Sequence, residues 1–397
     1  MNPGAQSRVV LNDQLLLFGP DAAGSRLAAE LADRGWRRVA LFSGASAVRT
    51  GLRDRIRRQT LGRLEVVVVE QAIAAHAPVR DSEAIAEMLR GEELDALIAV
   101  GGGSSSDTAK AVALLLAEGG GLVEHCSEFE PPDRLVHKVL LEPKLPVVAV
   151  VTTLSGAEQT PGGGATTDAG IKRTFWDPQL ACAIVCYDTD ILAEVPRAVL
   201  VETAMNGLAH CAEGLYSRTR NPVSTAMALH GATTLTRGLL ALTRDDDQRG
   251  DTAAAGALDD LAAGAALSGL VIANARVGLH HAICHVLGGQ LGLPHGVANS
   301  IMLPHVLAFN RPITDAAQAG FAAALVAGGA RPAGNASDIL SELRTAIGAP
   351  AQLRKFGVTQ DSFGAIARDT MQDRGLYFNP RPVDGPGTVV ELLVRAW

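Results

Sequence analysis

The sequence has little of what marks several classes of protein. Basic residues do not outnumber acidic ones: 35 Lys and Arg stand against 42 Asp and Glu, for a formal net charge of -7. That balance argues against nucleic acid or anionic lipid as a partner. The most apolar run, roughly Leu261 to Ala273, is shorter than a membrane span, and the first residues contain no apolar signal core. We therefore expect a soluble, cytoplasmic protein that acts on a small molecule, with no nucleic acid or membrane as partner.

Cysteine is also scarce. The five cysteines are an odd set without the spacing of a disulfide framework, which fits a reducing compartment. A chain of 397 residues is too long for one ordinary core and favours two domains. With 47% hydrophobic and 19% charged residues, its composition is typical of a globular enzyme.

Short β-branched runs alternate with helical patterns in the first half of the chain. Continuous apolar strands separated by helices indicate a parallel sheet covered on both faces. From about Pro196 these runs end, and Ala- and Leu-rich stretches with helical spacing continue to Leu393. We predict an α/β nucleotide-binding domain over residues 1–195 and an all-α domain over residues 196–397. The predicted strands are Arg38–Phe42, Leu64–Val69, Ala96–Val100 and Pro146–Val151.

Three glycines, Gly101–Gly103, follow the third of these strands and open a helical pattern. Glycines let backbone N–H groups approach a pyrophosphate, and the helix N-terminus adds partial positive charge. An ordinary strand-to-helix turn explains one glycine better than three followed by three hydroxyl residues. The spacing is neither the Gly-x-Gly-x-x-Gly fingerprint nor a Walker loop. We predict a phosphate cradle in a different nucleotide-binding fold.

Six of the ten histidines are concentrated in the first half of the predicted helical domain. Asn206 and His210 are four residues apart in a helical stretch, as are His281 and His285, so each pair projects from one helix face. His295 follows in a Pro-His-Gly sequence. One histidine on an apolar face is more often a packed core residue than a ligand, but two such pairs favour a functional cluster.

These motifs resemble the iron-containing alcohol dehydrogenase superfamily along most of the chain. Gly101–Lys110 is similar to its coenzyme-pyrophosphate motif, Thr152–Glu158 to its second coenzyme segment, and His281–Gly296 to its most specific signature. Further stretches resemble the maleylacetate reductases within that superfamily, namely His76–Pro78, Ile171–Thr174, Asn206–His210, Leu279–Gly289 and Asn379–Asp384. The resemblance implies a dehydroquinate synthase-like fold and a homodimeric, nicotinamide-dependent oxidoreductase of aromatic compound catabolism.

The resemblance also implies which residues contact the coenzyme. Members that prefer NAD often carry an acidic residue after the early strand, but Phe42–Gly44 contains none, so the choice between NADH and NADPH stays open. The implied coenzyme-binding residues are Ser43, Gly101, Gly102, Gly103, Ser104, Asp107, Thr152, Thr153, Ser155 and Lys172.

The family's metal ligands are one Asp and three His. Carried over, these positions are Asn206, His210, His281 and His295, so an amide stands where the carboxylate would be. An amide oxygen supplies no charge, and affinity for a divalent metal should fall. We expect a divalent metal to be absent or weakly bound.

Reduction of maleylacetate places negative charge on a ketone oxygen. On the resemblance, we expect His281 with His210 and His295 to stabilise that oxyanion and His285 to supply a proton. Histidines without a carboxylate partner should make the site electropositive and favour a dianion. Arg276 is a candidate carboxylate clamp, although a solvated arginine at a helix end is an equally good interpretation.

Two other functions stay open at this point. A metal-dependent dehydrogenase, interconverting an alcohol and an aldehyde or ketone, requires an occupied cation site. A non-redox cyclase or lyase descended from the same superfamily is favoured by the glycine run Gly162–Gly164 and by Ala157, which departs from the reductases in the second coenzyme segment.

Overall fold

The computed structural model describes Val9 and residues 11–131, 134–243 and 251–397, the side chains of 251–255 excepted. The chain divides into two compact units. One consists of Asn12–Glu128 and Val136–Val195, and the other is built mainly on Pro196–Trp397. The described cysteines, all five of the chain, are buried free thiols.

The first unit is organised around a six-stranded sheet. All pairings in it are parallel, and the central strands are continuous apolar runs because helices cover both faces. The strands of the chain are β1 (Leu15–Gly19), β2 (Arg38–Ser43), β3 (Glu65–Val68), β4 (Ala96–Gly101), β5 (Glu128–Glu130), β6 (Arg134–Val136), β7 (Val147–Val151), β8 (Gly162–Thr166), β9 (Lys172–Trp176) and β10 (Ile184–Asp188).

The order in the large sheet is β1-β10-β7-β4-β2-β3, while β5 with β6 and β8 with β9 form two-stranded ribbons. The four predicted strands are confirmed as β2, β3, β4 and β7, and β1 and β10 are additional. The helices of this unit are α1 (Leu27–Asp33), α2 (Ala45–Arg49), α3 (Leu52–Gln59), α4 (Val79–Leu89), α5 (Gly103–Glu118) and α6 (Thr189–Ala193).

From Pro196 onward, the described residues form helices and turns without strands, as the loss of β-branched runs predicted. The longest helices pack side by side, and shorter ones close the second unit. The helices are α7 (Arg197–Tyr216), α8 (Pro222–Thr243), α9 (Asp251–Ala275), α10 (Leu279–Leu291), α11 (His295–Ala327), α12 (Ala336–Ala346), α13 (Phe363–Thr370), α14 (Gly375–Phe378) and α15 (Pro386–Ala396).

Helix α9 contains the most apolar segment of the described chain. Its stretch Gly256–Ala275 is long and apolar enough to cross a membrane, by length and composition alone. Of the most apolar 18 residues in that stretch, 56% are buried inside the protein. It packs closely on α8: a Cβ at Gly238 would lie 2.7 Å from Leu261 Cγ, and one at Gly264 would lie 2.6 Å from Leu235 Cγ. Such close contact shows that α9 packs as a largely buried helix of the second unit.

Candidate active site

The three glycines of the phosphate loop lie against the second coenzyme segment. Gly101 ends β4 with a φ of +153°, and its carbonyl accepts a 2.9 Å hydrogen bond from the Thr152 N–H. A Cβ at Gly102 would lie 2.8 Å from Thr153 Cγ2, and one at Gly103 would lie 3.1 Å from Ser155 Oγ. The glycines therefore allow two loops to meet, in addition to any approach to a phosphate.

The predicted coenzyme residues share the carboxyl edge of the sheet. Strands β2, β4 and β7 are neighbours, and Ser43, Gly101 and Thr152 end or follow them. Ligands of open α/β sheets bind at this edge. Ser43 is fully buried, and its Oγ has no hydrogen-bond partner among the described residues. A buried hydroxyl beside a glycine cradle fits a nucleotide coenzyme.

The glycine run that favoured a non-redox descendant has a packing explanation. It forms β8, which pairs antiparallel with β9. A Cβ at Gly162 would collide with the Phe175 carbonyl oxygen, one at Gly163 would lie 2.7 Å from the Phe175 ring, and one at Gly164 would collide with Lys172 Cε. The close ribbon therefore explains glycine at Gly162 and Gly163, whereas at Gly164 the obstacle is the end of the Lys172 side chain.

The same ribbon positions two predicted coenzyme residues. Asp107 Oδ2, on α5, accepts the Gly164 N–H at 3.1 Å, and Lys172 begins β9. Burial raises the pKa of Asp107, while Lys110 and Lys172 oppose that rise. The ribbon thus holds a carboxyl group and an ammonium group beside the helix that begins at the phosphate loop.

His76 also lies at the phosphate loop. Its N–H donates to Ser104 Oγ at 3.0 Å, and both His76 and Ala77 have left-handed backbones, with φ of +64° and +45°. Burial, with Lys172 nearby, lowers the pKa of His76. The sequence resemblance includes His76–Pro78 but implies no role for this stretch. The contact of His76 with Ser104 places His76 in the candidate coenzyme site.

Three helices of the second unit bring the predicted histidines together. Helix α7 supplies Asn206 and His210, α10 supplies His281 and His285, and α11 begins at His295. The His281 ring centroid lies 4.9 Å from that of His210, 5.7 Å from that of His295 and 6.1 Å from that of His285. Both i,i+4 pairs therefore belong to one cluster.

A buried carboxylate that the sequence analysis missed holds His281. Glu213 Oε2 lies 2.5 Å from His281 Nδ1, and Oε1 accepts the backbone N–H of His280 at 3.0 Å. The other ring nitrogen of His281, Nε2, lies 3.2 Å from Asn206 Oδ1. Burial raises the pKa of Glu213, although His280 opposes the shift. The carboxylate fixes the ring so that Nε2 is directed at Asn206.

His285 has a carboxylate of its own. Asp373 Oδ2 lies 2.9 Å from His285 Nδ1, and Oδ1 accepts the Gly375 N–H at 2.7 Å. Although burial alone raises it, the charge and hydrogen bond of His285 bring the pKa of Asp373 down to about 2. The expectation of histidines without a carboxylate partner is therefore wrong for both His281 and His285.

The cluster is also less positively charged than expected. Burial, reinforced by neighbouring histidines, lowers the pKa of His210 well below its usual value. Burial, and to a smaller extent the charge of His281, lowers the pKa of His280 to about 3. Both shifts favour a neutral ring at pH 7, and for His280 the effect of burial exceeds the opposing effect of Glu213.

Two family models match almost the whole chain. The model of the iron-containing alcohol dehydrogenases matches residues 14–189, and that of the C-terminal part of Fe-containing alcohol dehydrogenases matches residues 200–397. The chain belongs to the iron-containing alcohol dehydrogenase family. Membership confirms the predicted fold and the expectation of an oxidoreductase.

Relatives of this family member include named reductases. A maleylacetate reductase of Sphingobium indicum is 33% identical over 383 residues, which cover 96% of this chain and 94% of that one. One of Pseudomonas aeruginosa is 31% identical, with 93% and 92% covered. The crystal structure of maleylacetate reductase from Agrobacterium tumefaciens has a TM-score of 0.79 at 27% identity, covering 99% of this chain and 98% of that one. The predicted resemblance is confirmed.

One group in this member of the family bears directly on metal binding. Potential ligand atoms of Glu213, His280 and His281 all lie within 4.8 Å of one another and are buried. The expectation that a divalent metal is absent or weakly bound is therefore not supported by the structure. The same atoms also make the hydrogen bonds described above, so the group has two possible uses.

Arg276 is not simply a solvated arginine at a helix end. It is half-buried, precedes α10, and has a left-handed backbone with a φ of +59°. Burial, together with the charge of Arg374, lowers its pKa to about 9. A non-glycine residue in that conformation is strained, and strain of this kind is concentrated at functional sites.

Sequence reasoning missed four residues that build this site. Glu213 follows Asn206 by seven positions on α7, so helical spacing alone could have placed it on the same face. His280 adjoins a predicted residue. Asp373 gave no local signal. Asn379 lies in a stretch noted for its resemblance, and its Oδ1 accepts the Leu279 N–H at 3.3 Å at the start of α10.

Proposed function

We propose that this protein is a maleylacetate reductase-like enzyme. It uses NADH or NADPH to reduce the activated C=C bond of maleylacetate, or a related 4-oxo dicarboxylate, giving 3-oxoadipate. The observation that carries the proposal is His281, held between Glu213 at 2.5 Å and Asn206 at 3.2 Å. An amide here replaces the family's charged ligand, and His281 would donate from Nε2 when one proton lies between Nδ1 and Glu213 and a second is on Nε2. The names of the relatives support the same substrate.

The coenzyme would be held by the first unit. Gly101–Ser104 and the N-terminus of α5 would bind its pyrophosphate. Thr152–Ser155, which pack against Gly102 and Gly103, would line the other side of the coenzyme site. Lys172 lies against Gly164, and its charge acts on Asp107 of α5. Bound NADH or NADPH supplies a hydride, which adds to the alkene carbon β to the ketone while the ketone oxygen gains negative charge.

The histidine cluster would stabilise that oxyanion. Glu213 fixes the ring of His281, and its Nε2 would donate to the oxyanion beside, or in exchange for, its 3.2 Å contact with Asn206 Oδ1. His210 and His295 lie beside it and would add further donors, His210 as a neutral imidazole. A preorganised donor in a comparable oxyanion site contributes about 2.7–4 kcal/mol.

His285 would complete the reaction by donating a proton. The enolate carbon next to the ketone must gain one proton, so hydride and proton together account for the two-electron reduction of the double bond. Asp373 holds His285 through Nδ1 at 2.9 Å, which orients the ring and stabilises its protonated form. The Asp373–His285 pair is therefore the proton source of this mechanism.

A metal-dependent alcohol dehydrogenase is the second candidate function. It is favoured by the convergence of Glu213, His280 and His281 within 4.8 Å. Elemental analysis of protein purified without chelator distinguishes the two functions. If the protein is a maleylacetate reductase-like enzyme, we expect it to contain little iron or zinc and to stay active in EDTA. The variant Asn206→Asp should bind metal. Stoichiometric metal in the unmodified protein would favour the dehydrogenase.

The test of the proposed reaction is an absorbance assay. NADH and NADPH oxidation is followed with maleylacetate, with simple aldehydes and with buffer alone, and kcat/KM should be highest for maleylacetate. If aldehydes are better substrates, the alcohol dehydrogenase is correct. If neither coenzyme is consumed with any carbonyl substrate, the protein is instead a non-redox cyclase or lyase of the same superfamily.

We extend the proposal to the setting of the enzyme, as a cytoplasmic homodimer of aromatic compound catabolism. Similarity to the maleylacetate reductases supports this extension. Light scattering on the purified protein measures the mass directly. A mass of one chain, 41.2 kDa, would contradict the dimer.

A further inference from the structure

A fully buried lysine, Lys110, lies on α5 about two turns after the phosphate loop. Its Nζ donates hydrogen bonds to three backbone carbonyl oxygens, those of Ala157 at 2.8 Å, Thr160 at 2.8 Å and Gly162 at 3.2 Å. A protonated lysine has three N–H donors, so the charged ammonium group satisfies all three acceptors at once. The carbonyls lie between the end of the second coenzyme segment and the start of β8.

These hydrogen bonds connect the two walls of the candidate coenzyme site. Gly103 begins α5, and a Cβ on it would lie 3.1 Å from both Ala157 Cβ and Ser155 Oγ. The same helix carries Lys110, which binds the Ala157 carbonyl. The separation of the phosphate loop from the second coenzyme segment is therefore set by direct contact at Gly103 and by the hydrogen bonds of Lys110.

Lys110 also acts, together with Asp107, on the ribbon that carries Lys172. The two side chains are three residues apart on α5 and so lie on one face. Asp107 Oδ2 accepts the Gly164 N–H at 3.1 Å, while Lys110 Nζ donates to the Gly162 carbonyl. A Cβ on Gly164 would collide with the Lys172 side chain. One helix thus fixes β8 through an acceptor and a donor, and β8 contacts a predicted coenzyme residue.

The lysine stands in an otherwise apolar part of α5. The neighbouring buried side chains, at positions 109 and 111–115, are alanine, valine and leucine. Burying an ammonium group costs free energy unless hydrogen bonds replace its water. An apolar side chain of the same length would fill the space without that cost. Lysine at this position is therefore explained by the three carbonyl groups that it binds, not by packing.

We propose that Lys110 is a positioning residue of the coenzyme site, which fixes the second coenzyme segment at the distance from the phosphate loop that the coenzyme pyrophosphate requires. This inference rests on the proposed coenzyme site and deepens it, because it adds a residue that acts through both loops without touching the coenzyme. The ligand class is a dinucleotide or a nucleoside diphosphate sugar. ADP-ribose, which has the pyrophosphate but lacks the nicotinamide, should depend on Lys110 as the coenzyme does.

The test is calorimetry of Lys110→Met, which keeps the length of the side chain and removes all three donors. NADH, NADPH and ADP-ribose are titrated at a temperature where the variant is folded. For each ligand that binds the unmodified protein, Kd should rise roughly tenfold or more, because three buried carbonyl groups lose their common donor and the segment moves. A Kd within twofold of the unmodified protein would overturn the proposal.

Lys144→Met is the matched control for a merely structural effect. Lys144 is a second lysine of the first unit with a fully buried side chain, and its Nζ pairs with Glu118, the last residue of α5, and lies 3.3 Å from Asp177 Oδ2. Its loss leaves two carboxylates without their cationic partner, so thermal unfolding should occur at lower temperature. Each Kd should stay within about twofold, because the contacts lie at the far end of the helix. Equal losses of affinity in the two lysine variants would overturn the proposal.

Thr160→Val decides the question if Lys110→Met does not fold. Thr160 Oγ1 lies 2.9 Å from the carbonyl oxygens of both Ala157 and Gly162, so the change loosens two of the same acceptors and keeps the lysine. Kd should rise about threefold, as expected for one lost hydrogen bond. An unchanged Kd in this variant would also overturn the proposal.

The outcome is separate from the proposed reaction and from the phosphate loop itself. A protein that fails to reduce maleylacetate but loses coenzyme affinity through Lys110→Met contradicts only the reaction. If Gly102→Ala weakens coenzyme binding and Lys110→Met does not, the loop holds the coenzyme and the role of Lys110 is wrong. If neither variant changes Kd, the coenzyme site itself is wrong.

Discussion

The two functional regions of this protein are built in opposite ways. The candidate coenzyme site is formed by what its residues lack, since Gly101–Gly103 and Gly162–Gly164 leave space that a Cβ would fill. The histidine cluster is formed by ionisable side chains, with Glu213 and Asp373 buried against two of its rings.

The difference predicts how each region fails. A glycine site should fail sterically, through loss of coenzyme affinity, and its sensitivity should depend on which atom the new Cβ meets. The histidine cluster should fail electrostatically, through loss of kcat, because removing one partner leaves another buried group without its hydrogen bond. Substitutions that keep size but change charge therefore separate the two regions.

Glu213→Gln should have the largest effect. It keeps the size of the side chain and a hydrogen-bond partner for His281 Nδ1, but it removes the negative charge 2.5 Å from that nitrogen, so the ring loses its charge partner and the tautomer that the carboxylate selects. We expect kcat to fall about 100-fold or more, by analogy with the carboxylate that orients a catalytic imidazole, with little change in coenzyme affinity. Steady-state kinetics and coenzyme calorimetry measure the two quantities.

The control for this variant is Glu342→Gln, an exposed glutamate of α12 in the same unit. It should match the unmodified enzyme in kcat and in thermal unfolding. A Glu213→Gln enzyme with kcat within threefold of normal would show that His281 does not depend on its carboxylate.

The second prediction concerns the phosphate loop. A Cβ at Gly102 would lie 2.8 Å from Thr153 Cγ2, so Gly102→Ala should separate the two coenzyme loops. Coenzyme binding should weaken more than tenfold in calorimetry. Gly387→Ala is the matched control, because nothing lies within 4 Å of the Cβ it would add. Equal affinities in the two variants would remove the loop from the coenzyme site.

The same contrast explains what could be predicted from the sequence. Strands β2, β3, β4 and β7 appeared as β-branched runs because a sheet covered on both faces requires apolar residues at every position. The glycine loop appeared because its requirement is local. Helical spacing brought His281 and His285 into one face. Each of these signals lies within a few residues of the chain.

What escaped prediction depends on contacts between distant residues. Glu213 is 68 positions from His281, and Asp373 is 88 positions from His285. The Asp373 partnership has no local pattern, and helical spacing could place Glu213 only on the face of Asn206, not against His281, so the cluster was predicted to be electropositive. The glycine run at 162–164 was misinterpreted for the same reason, since its cause is a neighbouring strand and the side chain of Asp107. Nothing in the described residues decides between NADH and NADPH, so both stay possible coenzymes.

A third, smaller effect is expected of Asp373→Asn. His285 would keep a hydrogen-bond partner but lose the charge that stabilises its protonated form, so kcat should fall about tenfold, within the usual range for general acid catalysis. A pH profile provides the measurement that a merely structural role would not change, because the basic limb of kcat should move to lower pH.

The stability of the same variant has its own pH dependence. The pKa of Asp373 is about 2 in the folded protein, below the usual value of 3.8. Its ionised form therefore stabilises the fold above pH 4, and this contribution is lost as pH falls from about 4 towards 2. Thermal unfolding of Asp373→Asn should be less sensitive to pH in that range than unfolding of the unmodified protein. An identical pH dependence would contradict the buried ion pair.

The smallest effect is expected at the far end of the glycine run. A Cβ at Gly164 meets Lys172 Cε, which belongs to a flexible side chain that can move, whereas a Cβ at Gly162 meets the Phe175 carbonyl oxygen, which cannot. Gly164→Ala should therefore weaken coenzyme binding only about threefold through displacement of Lys172, with normal thermal unfolding. Gly162→Ala should lower the free energy of unfolding by about 1–3 kcal/mol, the usual cost of overpacking. If Gly164→Ala destabilises the protein as much as Gly162→Ala, the run is a purely structural feature of the ribbon and Lys172 has no part in coenzyme binding.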